Sequence, residues 1–312
     1  LGYTRDVNAA TLARKNPYRF VFLVPKSSTQ FSRSLSSAIE ETALTHASHR
    51  CSVELVQAPM FSPHDAAAAV KALNPSDIDG LAIMAPETPS VRDAVIKMRE
   101  AGVEVVPIIS DLPTAQCGHF VGINNIAAGR TAAELLGRFC APRKGTVAVI
   151  VGNMVSRDHI ERRLGFDEVI GSLFPQLQTL PTSEGRDQAE LVERIATRLL
   201  QRHDDLAGIY LASAGTAGLH RAVIAHLEAR GKRPFVIAHE LTATTRSALS
   251  DNVFDAVISQ DVGHIARSAV RVLRARKDGA PISKGQERIR IDIFTRGNVP
   301  DEPDHSAIGG EA

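Results

Sequence analysis

The chain reads Tyr-Arg-Phe-Val-Phe-Leu-Val-Pro over residues 18–25, and the residues from Phe20 to Val24 are apolar without interruption. A short run of this kind, rich in aromatic and β-branched residues, predicts a β-strand that is buried on both faces. Further short apolar runs follow it, separated by longer segments whose apolar residues recur at helical spacing. Strands of this type that alternate with helices predict a parallel sheet with helices on both sides.

The alternating pattern occurs twice along the chain, with a pause at residues 120–125. For the first unit it predicts strands 20–24, 52–56, 80–85 and 103–109 and helices 31–47, 64–73 and 90–101. For the second it predicts helices 126–139, 158–173, 186–202 and 216–229 and strands 146–151, 177–181, 207–211 and 235–238. A connecting strand at 254–259, a helix at 261–276 and a final strand at 288–294 complete the pattern. The fold class is therefore α/β, with two open parallel-sheet units.

The composition is that of a globular protein, with 312 residues of which 44% are hydrophobic and 23% charged. No run of about 18 apolar residues is present, so we expect no membrane partner. The net charge of +1 argues against a protein whose whole surface binds nucleic acid, although residues 1–19 alone carry a net charge of +3. This basic start is either a solvated terminus or an arm that meets phosphates. The three scattered cysteines have no metal-ligand spacing and suit a reducing, cytoplasmic environment.

Polar residues follow the predicted strands, at the edge where open parallel sheets bind their ligands. Thr29 and Phe31 lie in the first such loop, and Phe31 either stacks on the apolar face of a sugar or packs a helix end against the core. Glu87 and Asp111 follow later strands, and a carboxylate there can accept hydrogen bonds from ligand hydroxyls. A cap or turn is an equally good explanation of Asp111.

The second unit repeats this arrangement, since residues 157–163 open a helix with several arginines and residues 212–218 form a loop of small residues. The arginines are either solvated or act as planar donors to hydroxyl pairs or a carboxylate. The chain has no nucleophile-elbow, zinc-protease or phosphate-loop motif. A pocket of hydroxyls, amides, carboxylates and an arginine favours binding of a neutral polyol over catalysis, and we expect no enzyme activity, no cofactor and no metal site.

Three segments carry a family resemblance. Residues 7–13, Val-Asn-Ala-Ala-Thr-Leu-Ala, look like a hinge helix, and residues 121–129, Val-Gly-Ile-Asn-Asn-Ile-Ala-Ala-Gly, resemble a segment that crosses between two subdomains. Residues 162–166 match an Arg-x-x-Gly-Phe motif. Their order and spacing resemble the lactose-repressor (LacI/GalR) family of bacterial transcription regulators and, more distantly, periplasmic sugar-binding proteins. The resemblance covers nearly all of residues 1–295 and implies two Rossmann-like subdomains joined by three crossover strands, the type I periplasmic-binding-protein fold.

The resemblance also implies a site for a small sugar, polyol or sugar acid. Carried over position by position, this effector site consists of Thr29, Phe31, Ser32, Asp111, Asn124, Arg162, Ser213, Glu240 and Gln260. The chain departs from the family pattern at three of these positions. Ser32 stands where a second aromatic residue is frequent, Ser213-Ala214 replaces a usual Asn-Asp pair, and Glu240 replaces an aspartate.

The family binds operator DNA as a homodimer through a helix-turn-helix headpiece and a hinge helix. The resemblance implies that the hinge residues enter the minor groove of the DNA and that Leu12 acts there as an apolar wedge. These hinge residues are Asn8, Ala9, Leu12, Ala13 and Arg14. Residues 1–16 contain no headpiece, and we expect it to be missing from this chain. The main prediction is thus the ligand-sensing core of a cytoplasmic transcription regulator, in which closure of the cleft changes DNA affinity allosterically. The alternative is a periplasmic sugar-binding protein of a transporter.

The predicted domain boundaries follow from the same resemblance. Residues 1–16 form the hinge and linker, residues 17–122 and 261–288 form an N-terminal effector subdomain, and residues 123–260 and 289–297 form a C-terminal one. Residues 298–312 are predicted to be a mobile tail, because they are rich in Pro, Gly and acidic residues.

Overall fold

The computed structural model of the protein describes residues 17–47, 51–60, 62–141, 143–283 and 285–300. The predicted hinge residues Asn8, Ala9, Leu12, Ala13 and Arg14 lie outside these ranges. Within them the chain forms two separate sheets, each with helices against it.

The first sheet has four parallel strands: β1 (Tyr18–Pro25), β2 (Cys51–Ala58), β3 (Gly80–Ile83) and β4 (Glu104–Pro107). Their spatial order is β2-β1-β3-β4, so the apolar run at 18–25 is a central strand. The connecting helices are α1 (Gln30–Ala47), α2 (Pro63–Lys71) and α3 (Pro89–Glu100). Together with a late helix, α9 (Val262–Asp278), which packs against α1, β1, β3 and β4, they form the first subdomain.

The second sheet is larger and has the order β11-β10-β9-β8-β5-β6, with β7 also paired to β5. Its strands are β5 (Gly145–Val151), β6 (Leu177–Thr179), β7 (Ser183–Glu184), β8 (Leu206–Leu211), β9 (Phe235–His239), β10 (Ala256–Ser259) and β11 (Asp292–Phe294). Its helices are α4 (Asn125–Cys140), α5 (Arg157–Leu173), α6 (Ala189–Arg202), α7 (Thr216–Arg230) and α8 (Ala243–Ser250). Only β11 runs antiparallel to its neighbour.

The chain passes between the two subdomains three times, through residues 108–124, 260–261 and 279–291. In the first passage, Ile108 and Val121 form an isolated parallel bridge. The described residues therefore have the predicted α/β fold with parallel sheets in two subdomains.

The core explains why the run at 18–25 is apolar on both sides. Phe20 and Phe22 enter an apolar layer that continues into the second sheet, whereas Val21 and Leu23 enter a separate layer beneath α2 and α3. Alternate side chains of a strand point to opposite faces, so helices on both faces bury every residue. Each such side chain contributes about 1.5–3 kcal/mol on burial.

The structure differs from the sequence prediction at the carboxyl-terminal end. Helix α8 was not predicted from the pattern; its start is fixed by Thr242 and Thr245, whose side chains and backbone N–H groups bond reciprocally. The final strand is shorter than predicted, because residues 288–291 belong to the third passage. Val299 is partly buried against the core, and the carbonyl of the exposed Pro300 accepts from Arg246 at 2.5 Å. Residues 301–312 lie outside the described part of the chain, and the mobile tail stays a prediction.

Candidate functional site

Loops that follow the carboxyl ends of strands in the two sheets lie opposite each other, and we call the space between them the cleft. Nη1 of Arg157 on α5 donates to Oε2 of Glu87, which follows β3, at 2.6 Å and so connects the two sides. Glu87 also accepts the backbone N–H of Thr114 at 3.0 Å. Partial burial acts to raise the pKa of Glu87, but these hydrogen bonds and the charge of Arg157 lower it. The two subdomains are thus joined by an ion pair beside the predicted site.

Arg162 occupies the second subdomain's side of the cleft and is only 3% exposed. Its Nε donates to Oδ1 of Asn125 at 2.9 Å, and its Nη1 donates to the carbonyl of Ala212 at 3.0 Å. No described residue accepts a hydrogen bond from Nη2. The guanidinium group is therefore fixed in orientation, and a planar donor fixed in this way can bind a pair of hydroxyl oxygens.

Close contact between α4 and α5 places Arg162 beside Asn125. A Cβ atom at Gly129 would lie 1.9 Å from the carbonyl oxygen of Arg162, and one at Gly165 would lie 2.1 Å from that of Ile126. Phe166 follows on α5 and stacks on Tyr210, with ring centroids 5.0 Å apart. The Arg-x-x-Gly-Phe motif therefore combines the predicted binding side chain with two packing residues.

Glu240 and Gln260 lie at the ends of neighbouring strands β9 and β10. Nε2 of Gln260 donates to Oε1 of Glu240 at 2.8 Å, and Gln260 is only 4% exposed. Oε1 of Gln260 is buried without a partner among the described residues. Burial raises the pKa of Glu240, although Arg162 and the amide of Gln260 act in the opposite direction. This pair offers hydrogen-bond acceptors, whereas Arg162 offers a donor.

Beneath this pair, His239 and Tyr210 form the buried floor. The hydroxyl of Tyr210 and Nε2 of His239 are 2.7 Å apart. Burial lowers the pKa of His239 well below its ordinary value, and Arg162 and His159 act in the same direction. His239 thus precedes Glu240 as a fully buried ring held through Nε2, and its Nδ1 has no partner among the described residues.

The predicted residues of the first subdomain lie at the start of α1 and after β4. Oγ1 of Thr29 accepts the backbone N–H of Ser32 at 3.2 Å, so this hydroxyl caps the helix. Phe31 is half-buried and packs against the core. Oδ1 of Asp111 accepts the backbone N–H of Leu112 at 2.7 Å, and burial raises the pKa of Asp111.

Two of the predicted residues of the second subdomain also have local partners. Oδ1 of Asn124 accepts the backbone N–H of Ala127 at 2.9 Å and caps α4, while the side chain stays exposed. Ser213 is buried and its hydroxyl donates to the carbonyl of Ala214 at 3.3 Å. These contacts use one polar group of each residue, and their roles in ligand binding stay predictions.

Asn125 is the residue of this site that the sequence reasoning missed. It is 1% exposed, accepts from Arg162 and donates from Nδ2 to the carbonyl of Ile109 at 3.3 Å. Two consecutive asparagines at a helix start were a usable signal, because one caps the helix and the next faces inward. Asn125 positions Arg162 and ties it to the first passage between the subdomains.

Within the described ranges, no group of three or more His, Cys, Asp and Glu side chains could hold a metal ion. None of the helices described is long and apolar enough to cross a membrane.

Replacement of Glu240 by alanine is expected to weaken ligand binding by about 1.5–3 kcal/mol, the range for hydrogen bonds to charged groups. Isothermal titration calorimetry of the variant and the wild type measures this difference. Unchanged affinity would remove Glu240 from the site. Glu228→Ala is the control, because Glu228 lies on the exposed face of α7.

The raised pKa of Glu240 also predicts a pH effect on folding. Between the unfolded-state pKa, near 4.5, and the higher folded-state pKa, the folded protein binds more protons than the unfolded chain. The contribution of Glu240 to the free energy of unfolding therefore falls as pH rises through this window. We expect Glu240→Gln, which cannot ionise, to gain stability relative to the wild type as pH rises above 4.5, as measured by urea denaturation. A difference that is independent of pH would contradict this assignment.

The chain matches the family model described as periplasmic binding protein domain over residues 20–281. It therefore belongs to this family. A search of the curated proteins found no match to the sequence.

Solved structures with the same fold cover nearly the whole described chain. A glucose-galactose binding protein from Geobacillus stearothermophilus is 17% identical, with a TM-score of 0.81 and coverage of 92% of this chain and 100% of that one. An ABC transporter solute-binding protein from Burkholderia graminis in complex with D-arabinose is 23% identical, with a TM-score of 0.79 and coverage of 91% and 98%. A solute-binding protein from Actinobacillus succinogenes with bound D-allose is 16% identical, with a TM-score of 0.78 and coverage of 90% and 98%. At these identities the likeness confirms the fold.

Proposed function

We propose that the protein binds a small sugar or polyol in the cleft between its two subdomains, without converting it chemically. The observation that carries this proposal is the fixed guanidinium group of Arg162 near the Glu240–Gln260 pair. Hydroxyl groups both donate and accept hydrogen bonds, and this arrangement offers a free donor and free acceptors. The names of the similar structures, which include solute-binding proteins with bound D-arabinose and D-allose, support the same ligand class.

The biological setting has two candidates. The similar structures are described as transporter or sugar-binding proteins, which favours an exported solute receptor for a transporter. Residues 7–15 favour the second candidate, a cytoplasmic transcription regulator of the lactose-repressor type. Their Val-Asn-Ala-Ala-Thr-Leu-Ala run ends in Arg14 and Lys15, which suits a homodimer that presents two such segments to operator DNA.

A ligand screen tests the binding proposal. The Tm of the purified 312-residue chain is measured in the presence of monosaccharides, disaccharides, polyols and sugar acids. The affinity for each compound that raises Tm is then measured by isothermal titration calorimetry. Ligand that binds only the folded state raises Tm in a concentration-dependent way. Failure of every compound to raise Tm would contradict the proposal.

The coding sequence upstream of Leu1 separates the two settings. A helix-turn-helix domain encoded in the same reading frame, directly before residue 1, supports the regulator. In that case we expect analytical ultracentrifugation to show a dimer. A signal peptide at that position supports the solute receptor and contradicts the regulator.

A further inference from the structure

We propose that the ligand is a polyol that carries an ammonium group, of the amino-sugar class, and that Asp158 receives this group. The inference rests on the proposed sugar-binding function and specifies its ligand. Three observations carry it: a nearly buried carboxylate that accepts no hydrogen bond from a described residue, the charge balance of the cleft, and a buried amide oxygen without a partner among the described residues.

Asp158 lies in the first turn of α5, one turn before Arg162, and is 6% exposed. No described residue donates a hydrogen bond to its carboxylate, and the basic nitrogen beside it is Nε2 of His159 at 3.7 Å. Burial raises the pKa values of Glu161 and Glu240, and the charge of Asp158 raises both further. Asp158 therefore lies near both of these carboxylates. A buried carboxylate without donors is costly, and a ligand that supplies N–H donors removes that cost.

Carboxylates outnumber basic groups around this position. Arg157 is shared between Glu87 and Glu161, at 2.6 and 2.7 Å, and so its charge is already neutralised. Arg162 is held by an amide and a carbonyl, and its charge faces Glu240. Five carboxylates thus interact within one group that contains two guanidinium groups and the ring of His159: Glu87, Asp111, Asp158, Glu161 and Glu240. A cationic ligand restores the balance, whereas the carboxylate of a sugar acid adds to the excess.

Gln260 gives independent support for a ligand rich in donors. Its Nε2 is used by Glu240, and its Oε1 is buried without a partner among the residues described. An amide oxygen in this situation requires an N–H or O–H donor. An ammonium group supplies three donors and no acceptor, and the neighbouring hydroxyls of an amino sugar supply more.

The test compares three forms of the same pyranose: the neutral sugar, the 2-amino sugar and the uronic acid. The comparison is made in the gluco, galacto and manno series. Calorimetry at pH 6.5 with the full chain is expected to give a Kd for the best amino sugar about 10- to 100-fold lower than for its neutral parent. The uronic acid of that series should bind more weakly than the neutral sugar. In Asp158→Asn the preference for the amino sugar should fall about tenfold, while the neutral parent keeps its affinity.

Asp167→Asn is the matched control, because Asp167 is an exposed aspartate on the same helix and should leave the preference intact. Thermal unfolding of both variants separates a folding defect from a change in selectivity. Equal or tighter binding of the neutral sugar would overturn the inference and leave the proposed function standing. An undiminished preference in Asp158→Asn would overturn the role of Asp158. Binding of none of the pyranoses would count against both the inference and the proposed function.

Discussion

Arg162→Ala should abolish measurable sugar binding and lower the free energy of unfolding by about 2–6 kcal/mol. The variant leaves Oδ1 of Asn125 and the carbonyl of Ala212 buried without their donor, and each such group costs about 1–3 kcal/mol. It also removes the fixed planar donor of the cleft. Urea denaturation measures the stability, and calorimetry with the best sugar of the screen measures the binding.

Two companion variants keep this test informative. Arg130→Ala removes an exposed arginine of α4 that pairs with Glu168 on α5 at 2.8 Å, and a surface pair of this kind contributes only about 0–1 kcal/mol. Arg162→Lys keeps the charge but loses the planar fork, so it should fold and still bind weakly. Full affinity in Arg162→Lys together with a loss of stability would make Arg162 a structural residue only.

The second large effect is expected for Gly129→Ala. In an ordinary helix position this change stabilises by about 0.5–1 kcal/mol. Here the new Cβ atom would lie 1.9 Å from the carbonyl oxygen of Arg162, so α4 and α5 must move apart. We expect a net destabilisation of about 1–3 kcal/mol, the usual cost of overpacking. Sugar affinity should fall as well, because α5 carries Arg162.

Gly171→Ala is the matched control for this substitution. Gly171 lies on α5, and a Cβ atom there would have no neighbour within 4 Å. This variant should gain stability in urea denaturation and keep the wild-type affinity. A Gly129→Ala protein as stable as the wild type would show that the two helices are not held together by glycine contact.

Most of the fold could be predicted because buried parallel strands have a distinctive sequence. The run from Phe20 to Val24 must be apolar at every position when helices cover both faces of its sheet. Helix α8 has no comparable pattern: its eight residues are rich in Thr and Ser, and a capping contact fixes its start. The bounds of the final strand do not follow from the local pattern, because residues 292–294 form β11 by pairing with the distant strand β10.

The sequence could indicate which residues belong to the candidate site but not which hydrogen-bond partners they have. The family resemblance singles out Arg162, through the Arg-x-x-Gly-Phe motif, together with Glu240 and Gln260, and the structure places all three in the second subdomain, where Glu240 and Gln260 are hydrogen-bonded to each other. Their role in binding stays a prediction. The sequence could not show that Asn124 caps a helix while Asn125 holds Arg162, since this depends on which face of α4 meets α5. Nor could it separate a solute receptor from a regulator, because the two share this fold and differ in segments outside the described residues.

The ion pair between Glu87 and Arg157 has a consequence for the kinetics of binding. It joins loops of different subdomains, so a motion that opens the cleft must break it. The association rate then includes an opening step, and that step is slowest at low ionic strength, where the attraction between the two charges is least screened. Under the proposed function, we expect the same contact to slow the escape of a bound ligand and so to lengthen its residence time.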